Sequence, residues 1–327
     1  PKVQDVIKLN TNENPYGPSE NVRKAMEAID IDRCRLYPDP DVTKLVKSIA
    51  DYYGMDNNQV FVGVGSDDVL SMCFLTFFNG KKPVLFPDIT YSFYSVWADL
   101  YRIPYEKQKL DDNMKIVPED YYKENGGVIF PNPNAPTGLL MDLDSVRDII
   151  EHNKDVVVII DFGGVSAKDL VNEYDNVLVV QTFSKSRSMA GMRIGYAFGS
   201  KELIKALNDV KFSFNSYTMN MTSIDMGVAS INDKKYFEEC VERITATRER
   251  TKEELTKLGF TFPDSKANFI FATHKSVPAK EIFEKLKDLN IFVRYFAQPG
   301  IDNYLRITIG TDEQMDKLIS ALSEIVG

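Results

Sequence analysis

The chain has 327 residues, 43% hydrophobic and 27% charged, and its 39 basic against 48 acidic side chains leave a net charge of −9. That is the profile of a soluble globular protein long enough for a large core and more than one domain. The acidic excess argues against nucleic acid or an anionic membrane as main partner, so a small anionic substrate needs local arginines working against the global field.

The opening Leu9-Asn10-Thr11-Asn12-Glu13-Asn14-Pro15-Tyr16-Gly17-Pro18 is rich in turn formers and reads as an irregular arm. Arg35-Leu36-Tyr37-Pro38-Asp39-Pro40 follows a short helix. A strand over 60–64 runs into Gly63-Val64-Gly65-Ser66-Asp67-Asp68 and then an apolar helix over 69–78. Glycines followed by Ser and Asp at a helix start suit a phosphate; Ser66 or Asp67 serving only as a cap fits equally well. Strand 83–87 precedes Thr90-Tyr91-Ser92-Phe93-Tyr94, and strand 128–130 leads into the rigid loop Pro131-Asn132-Pro133-Asn134-Ala135-Pro136-Thr137-Gly138. An apolar strand over 156–160 ends at Asp161, where open α/β sheets keep their ligand crevice; a strand-end cap is the alternative.

The buried strand 177–180 then delivers Gln181-Thr182-Phe183-Ser184-Lys185-Ser186-Arg187-Ser188-Met189-Ala190-Gly191-Met192-Arg193. A lysine at the end of a buried strand is costly unless paired or used, and its amine forms Schiff bases with carbonyl cofactors. Ser184 and Arg193 offer a hydroxyl and a fixed cation, which suit a phosphate; a basic surface loop is the plain alternative.

Downstream, 194–199 reads as a strand, 201–210 as a helix, and 233–258 as a long, charge-alternating, solvated helix between domains. Short strands at 260–262 and 268–271, an amphipathic helix at 279–289, two further strands and a last helix at 312–326 make an α+β domain. Arg294 and Arg306 lie in those further strands. Arg306 stands among apolar neighbours, where an unpaired guanidinium is expensive and a carboxylate or phosphate fork is the usual solution; an internal ion pair is the alternative for both. The expected fold class is α/β: an N-terminal arm (1–30), a large domain with a mostly parallel sheet wrapped by helices (31–230), and a smaller C-terminal α+β domain (231–327).

Ser184-Lys185 followed by Ala190-Gly191-Met192-Arg193, with the arginine eight residues after the lysine, resembles the lysine motif of fold-type I pyridoxal-phosphate (PLP) aminotransferases. Further motifs between Asn10 and Gly310 appear in family order over nearly the whole chain and resemble the histidinol-phosphate aminotransferases within that group. The resemblance implies that Lys185 binds pyridoxal 5'-phosphate and acts as catalytic base and acid. It implies that Gly65, Ser66, Asp67, Ser184 and Arg193 serve the phosphate, that Tyr91 stacks on the ring, and that Asn134 meets the phenolic oxygen. Asp161 would hold the pyridinium nitrogen, keeping the ring an electron sink. Asn12 belongs to a segment that closes over the site. Tyr37 would reach the phosphate of a neighbouring subunit, making a homodimer with shared active sites. Arg294 and Arg306 would take the anionic groups of histidinol phosphate and of 2-oxoglutarate or glutamate.

Two departures stand out. Ala135 occupies a place where most members carry asparagine, leaving Asn134 as the substitute. Where the family continues Asp-Glu-Ala-Tyr before Phe-Gly-Gly, Asp161 runs directly into Phe162-Gly163-Gly164, so about five residues are absent, including a tyrosine that binds the phenolic oxygen. Either a loop has been omitted or the deletion is genuine. The implied reaction is histidinol-phosphate transamination in histidine biosynthesis. Threonine-phosphate decarboxylase, an aromatic amino-acid aminotransferase, and a non-catalytic PLP-fold binding protein are the alternatives.

Cys34, Cys73 and Cys240 are scattered, and His152 and His274 are isolated, so a metal site is not expected and a reducing, cytoplasmic setting is. No apolar run reaches the roughly 18 residues that span a bilayer. No signal peptide is visible, and the start at Pro1 leads us to expect residues upstream.

Overall fold

The structure, a computed structural model, describes residues 6–162 and 167–327. The chain divides into two compact units, one of Pro18–Ala135 with Met141–Lys234, the other of Pro1–Gly17, Pro136–Leu140 and Lys235–Gly327.

In chain order the strands are β1 (Ile7–Lys8), β2 (Val60–Gly63), β3 (Val84–Pro87), β4 (Tyr105–Gln108), β5 (Gly127–Asn132), β6 (Val158–Phe162), β7 (Val177–Thr182), β8 (Gly195–Phe198), β9 (Phe260–Thr261), β10 (Phe269–His274), β11 (Ile291–Phe292), β12 (Arg294–Tyr295) and β13 (Leu305–Thr308). The helices are α1 (Glu20–Glu27), α2 (Thr43–Tyr53), α3 (Ser66–Phe77), α4 (Phe93–Tyr101), α5 (Leu143–Glu151), α6 (Ala167–Glu173), α7 (Lys201–Phe214), α8 (Met221–Asn232), α9 (Lys234–Lys257), α10 (Ala279–Asp288) and α11 (Asp312–Val326).

The larger unit is built on a seven-stranded sheet in the order β2-β8-β7-β6-β5-β3-β4. β8 runs antiparallel to both its neighbours, and the other pairings are parallel. Continuous apolar strands form here because both faces are covered. Val128, Phe130, Val158, Ile160, Val177 and Val179 point into one core with Leu45, Ile49 and Ile149. Their alternates Ile129, Ile159, Leu178 and Val180 enter a second core with Leu70, Phe74, Trp97 and Leu207. The strand period of two thus feeds two helical layers from one sheet. Parallel strands joined by helices bring several strand ends to the same edge of the sheet, which is where such folds place their ligands.

In the smaller unit, β12, β13, β10 and β9 form an antiparallel sheet, and β1 pairs with β11 in parallel. The N-terminal segment is tied down within this unit. Leu9 is buried, its N–H donates to Phe292 O at 2.7 Å, and its carbonyl accepts from Thr308 N–H at 3.0 Å. The turn-rich segment after it is irregular, as expected, but it is no loose surface arm.

The charge-rich helix at 233–258 forms as α9, yet it is not simply solvated. Cys240, Ile244, Thr247, Arg248, Thr251, Lys252 and Leu255 make a buried stripe at helical spacing. Arg248 donates to Ala267 O at 3.0 Å and Lys252 pairs with Asp264 at 2.7 Å, so the two cations stay buried by finding partners. Cys73 and Cys240 are buried, whereas Cys34 is exposed. Among the described residues no helix is long and apolar enough to cross a membrane, and no cluster of three metal-ligating side chains forms.

Candidate active site

Within the larger unit, most of the expected residues converge at the carboxyl edge of the sheet. β2 ends at Gly63 and turns through Gly65 into α3. The turn exists because two glycines allow it. Gly65 has φ +89°, and a Cβ there would lie 2.4 Å from Arg193 Nη2. A Cβ on Gly195, directly across from Gly63, would lie 2.2 Å from the Gly65 carbonyl carbon and 2.3 Å from Ser66 N. Close approach of this kind is reserved to glycine. The helical ladder begins with Val69 N–H on Gly65 O at 3.2 Å, so the N–H groups of Ser66, Asp67 and Asp68 precede it at the positive end of the α3 dipole.

Side chains close the cradle. Neither Ser66 nor Asp67 caps the helix; Asp68 does the local work, accepting from Val64 N–H at 2.9 Å. The Asp67 carboxylate instead accepts from the Tyr91 hydroxyl at 2.7 Å and pairs with Arg193 Nη2 at 3.5 Å. A carboxylate repels a phosphate, so its side chain serves this edge by holding Tyr91 and Arg193. Arg193 itself sits at φ 52°, a left-handed conformation uncommon for a long side chain, and Nη1 donates to Ala190 O at 3.3 Å.

β7 ends at Thr182, and Phe183, Ser184 and Lys185 follow. Thr182 Oγ1 donates to Ser184 Oγ at 2.9 Å and accepts from Ser184 N–H at 3.1 Å, fixing the turn that presents Lys185. Arg187 anchors the far side: it is buried, donates to Ser230 O at 2.8 Å, and lies over the Tyr52 ring at 5.0 Å and the Phe183 ring at 5.6 Å.

Asp161 is the penultimate residue of β6, consecutive with Phe162, the two pairing with Pro131 and Asn132 of β5. It is therefore the strand-end carboxylate. The family tyrosine expected between Asp161 and Phe162 therefore has no counterpart here, and the continuation from Gly163 lies outside the described residues. Burial pushes the Asp161 carboxyl up to about 6; the Tyr94 hydroxyl, 3.3 Å away, and the charge of Lys185 oppose that rise, whereas the charge of Asp67 adds to it. Asn134, just beyond β5, is buried, accepts from Thr90 Oγ1 at 2.9 Å and donates to Ile89 O at 3.0 Å. The Asn132–Pro133 peptide before it is cis. Tyr37 stands apart on the surface of the same unit, 81% exposed and stacked on Tyr217 at 4.6 Å.

The smaller unit holds Asn12, Arg294 and Arg306. Arg294 of β12 and Arg306 of β13 are directly opposed across an antiparallel pair. Both lie over the Phe296 ring, at 5.5 and 5.7 Å, and Arg306 is also 5.4 Å from Phe269. Arg306 Nη2 donates to Asn10 O at 3.1 Å. Asn12 is left-handed at φ 58°; its N–H donates to Thr308 Oγ1 at 3.0 Å, and its Oδ1 accepts from that hydroxyl at 3.2 Å.

A phosphate-sized cradle, a strand-end lysine and a half-buried carboxylate on one sheet edge are the donor set of a phosphorylated, nitrogen-bearing ring cofactor. The family model for aminotransferase class I and II matches residues 4–322. The chain belongs to that family. Histidinol-phosphate aminotransferase of Clostridium beijerinckii is 51% identical over 331 aligned positions, covering 100% of this chain and 92% of the relative. Those 331 positions exceed the 327 residues of this chain, so the relative has positions without a counterpart here. The crystal structure of the histidinol-phosphate aminotransferase from Clostridium acetobutylicum superposes with a TM-score of 0.90 at 22% identity, covering 98% of this chain and 99% of that one. That from Sinorhizobium meliloti, solved with pyridoxal-5'-phosphate, gives 0.88 at 21% identity over 98% and 90%. These superpositions establish fold-type I, the expected α/β class with its mostly parallel sheet.

The residues of this aminotransferase fit PLP. The helix N-terminus, Ser184 and Arg193 would take the phosphate, where any Cβ at Gly65 or Gly195 would intrude. Asp161 has the burial and the hydrogen-bonded oxygen that a protonated ring nitrogen requires. Sequence reading missed Thr182, Arg187, Thr90 and Tyr94.

Proposed function

We propose that this aminotransferase moves the amino group of L-histidinol phosphate to 2-oxoglutarate, in histidine biosynthesis. The observation that carries the reading is the opposed arginine pair. Two guanidinium groups directly across a strand pair disfavour each other by roughly 0.2–1 kcal/mol, a cost removed when a doubly charged anion lies against both. The phosphate of histidinol phosphate and the two carboxylates of 2-oxoglutarate are such groups, one for each half-reaction. The activity named for the 51% identical relative supports the same choice.

PLP, when bound, supplies an electron sink that stabilises negative charge at the substrate α-carbon. Lys185 holds the cofactor and, once released by the substrate amine, moves the proton at that carbon as base and then as acid. Asp161 faces the ring nitrogen and Tyr91 stacks on the ring, while Asn134 donates to the phenolic oxygen. Ser66, Ser184 and Arg193 hold the phosphate, joined by Tyr37 from a second copy of the chain in a homodimer. Arg294, Arg306 and Asn12 orient the substrate. The scattered thiols suit the cytoplasm as its setting.

The test is glutamate formation by purified protein given PLP, L-histidinol phosphate and 2-oxoglutarate. Turnover is expected, with L-histidinol, which lacks the phosphate, at least about 100-fold poorer in kcat/KM because the arginines are left unused. Equal use of both donors, or release of carbon dioxide from O-phosphothreonine without glutamate formation, contradicts the assignment.

A further inference from the structure

Resting on that reading, we propose that Tyr94 is a positioning residue that holds Asp161 by one carboxylate oxygen, leaving the other to the ring nitrogen, and so keeps it ionised during turnover. Tyr94 is fully buried at the start of α4. Its ring is packed by Phe74 at 6.2 Å, Phe86 at 5.8 Å, Trp97 at 6.4 Å and Tyr91 at 5.7 Å, which leaves the hydroxyl little freedom. That hydroxyl points to Asp161 Oδ2 at 3.3 Å. A buried tyrosine hydroxyl needs a partner, and a hydroxyl donating to a carboxylate favours the charged form. Burial, reinforced by the charge of Asp161, pushes the Tyr94 phenol well above its ordinary range, so the hydroxyl keeps its proton and remains a donor. The other titratable groups that face Asp161 are Asp67 and Cys73 of α3, Tyr91 just before α4 and Lys185 after β7. Of these only Lys185 favours the carboxylate, and by the proposed mechanism Lys185 exchanges its charge during the reaction. Tyr94 does not, so it is the constant support. Tyr91 packs edge-on against Tyr94, so the same aromatic cluster fixes the ring that would stack on the cofactor and the hydroxyl that fixes Asp161.

The experiment compares Tyr94→Phe with Phe74→Leu, which loosens the cluster but keeps the hydroxyl. The Asp161 carboxyl is followed in cofactor-free protein by carbon-13 NMR of labelled aspartate, with Asp161→Asn assigning the resonance. Tyr94→Phe should raise the titration midpoint by about one pH unit and lower kcat about tenfold with KM for the amino donor nearly unchanged. Phe74→Leu should lower the melting temperature yet leave the midpoint in place. An unmoved midpoint in Tyr94→Phe, or equal shifts in both variants, overturns the proposal. The NMR readout needs neither cofactor nor substrate. A shifted midpoint in a protein that fails to transaminate would therefore sink the functional reading while leaving the Tyr94–Asp161 contact standing.

Discussion

Gly65, Arg193 and Gly195 occupy one small volume, and each is constrained by the others. An alanine at Gly65 would need a left-handed backbone and place its methyl 2.4 Å from Arg193 Nη2. Gly65→Ala is expected to cost about 1–3 kcal/mol and to weaken PLP binding, measured by urea denaturation and by cofactor titration. Asp161 makes the opposite trade. Its carboxyl holds an extra proton in the folded state, so its contribution favours folding below pH 4 and is lost as the pH rises through about 6. Replacing it by an amide should therefore stabilise the cofactor-free protein at pH 7.5 by up to about 3 kcal/mol, with the gain shrinking toward pH 4. Transamination should fall by several orders of magnitude in the same variant. Thermal unfolding across that range, paired with activity, checks both. Lys185→Ala should lose at least about 10³-fold in turnover while keeping its fold; persistent transamination would remove Lys185 from the mechanism.

Among the elements, those with strong periodicity were legible from sequence. The last helix was expected at 312–326 and forms as Asp312–Val326, because Thr311 and Gln314 make a capping box at its start. β4 escaped notice: Tyr-Glu-Lys-Gln at the sheet edge offers too little apolar pattern to be read as a strand. β5 was expected over 128–130 because Pro131 suggests a stop, yet its pairing with β6 continues to Asn132. α9 was read as solvated because its charges dominate the composition, while four of the seven residues in its buried stripe are threonine, arginine or lysine. Lys252 tests that correction. It lies against Glu249 and Asp264, and with Lys266 it draws the Asp264 carboxyl down to about 2. Lys252→Met should destabilise the fold by about 1–3 kcal/mol at pH 7. The Asp264 contribution is present above about pH 4 and lost as the pH falls toward 2, so the deficit should narrow in acid. Urea denaturation of both proteins at pH 7 and pH 3 decides it. The site was legible where family motifs are contiguous, as at Lys185 and Arg193. Thr182 and Tyr94 were missed because their part depends on contacts between strand ends and α4 that one-dimensional spacing does not encode.

At the scale of the whole molecule, the proposed homodimer and its shared sites explain a surface otherwise out of place. Ile31, Tyr37 and Phe214 are 75%, 81% and 80% exposed, and Leu36 and Tyr217 are exposed as well. Sedimentation should give twice the 37.2 kDa chain mass. If Tyr37 serves the neighbouring subunit, Tyr37→Ala and Lys185→Ala are each weak or dead alone. Hybrids formed by unfolding and refolding them together contain one intact site, and about a quarter of wild-type activity should return by random pairing. No recovery would confine Tyr37 to its own chain. The central claim, PLP on Lys185 acting on histidinol phosphate, is tested most directly by the visible absorption spectrum of the purified protein. The account predicts a lysine-dependent band after addition of PLP that bleaches on adding L-histidinol phosphate and returns with 2-oxoglutarate. A band that ignores histidinol phosphate would contradict the substrate, and no band at all would contradict the cofactor site itself.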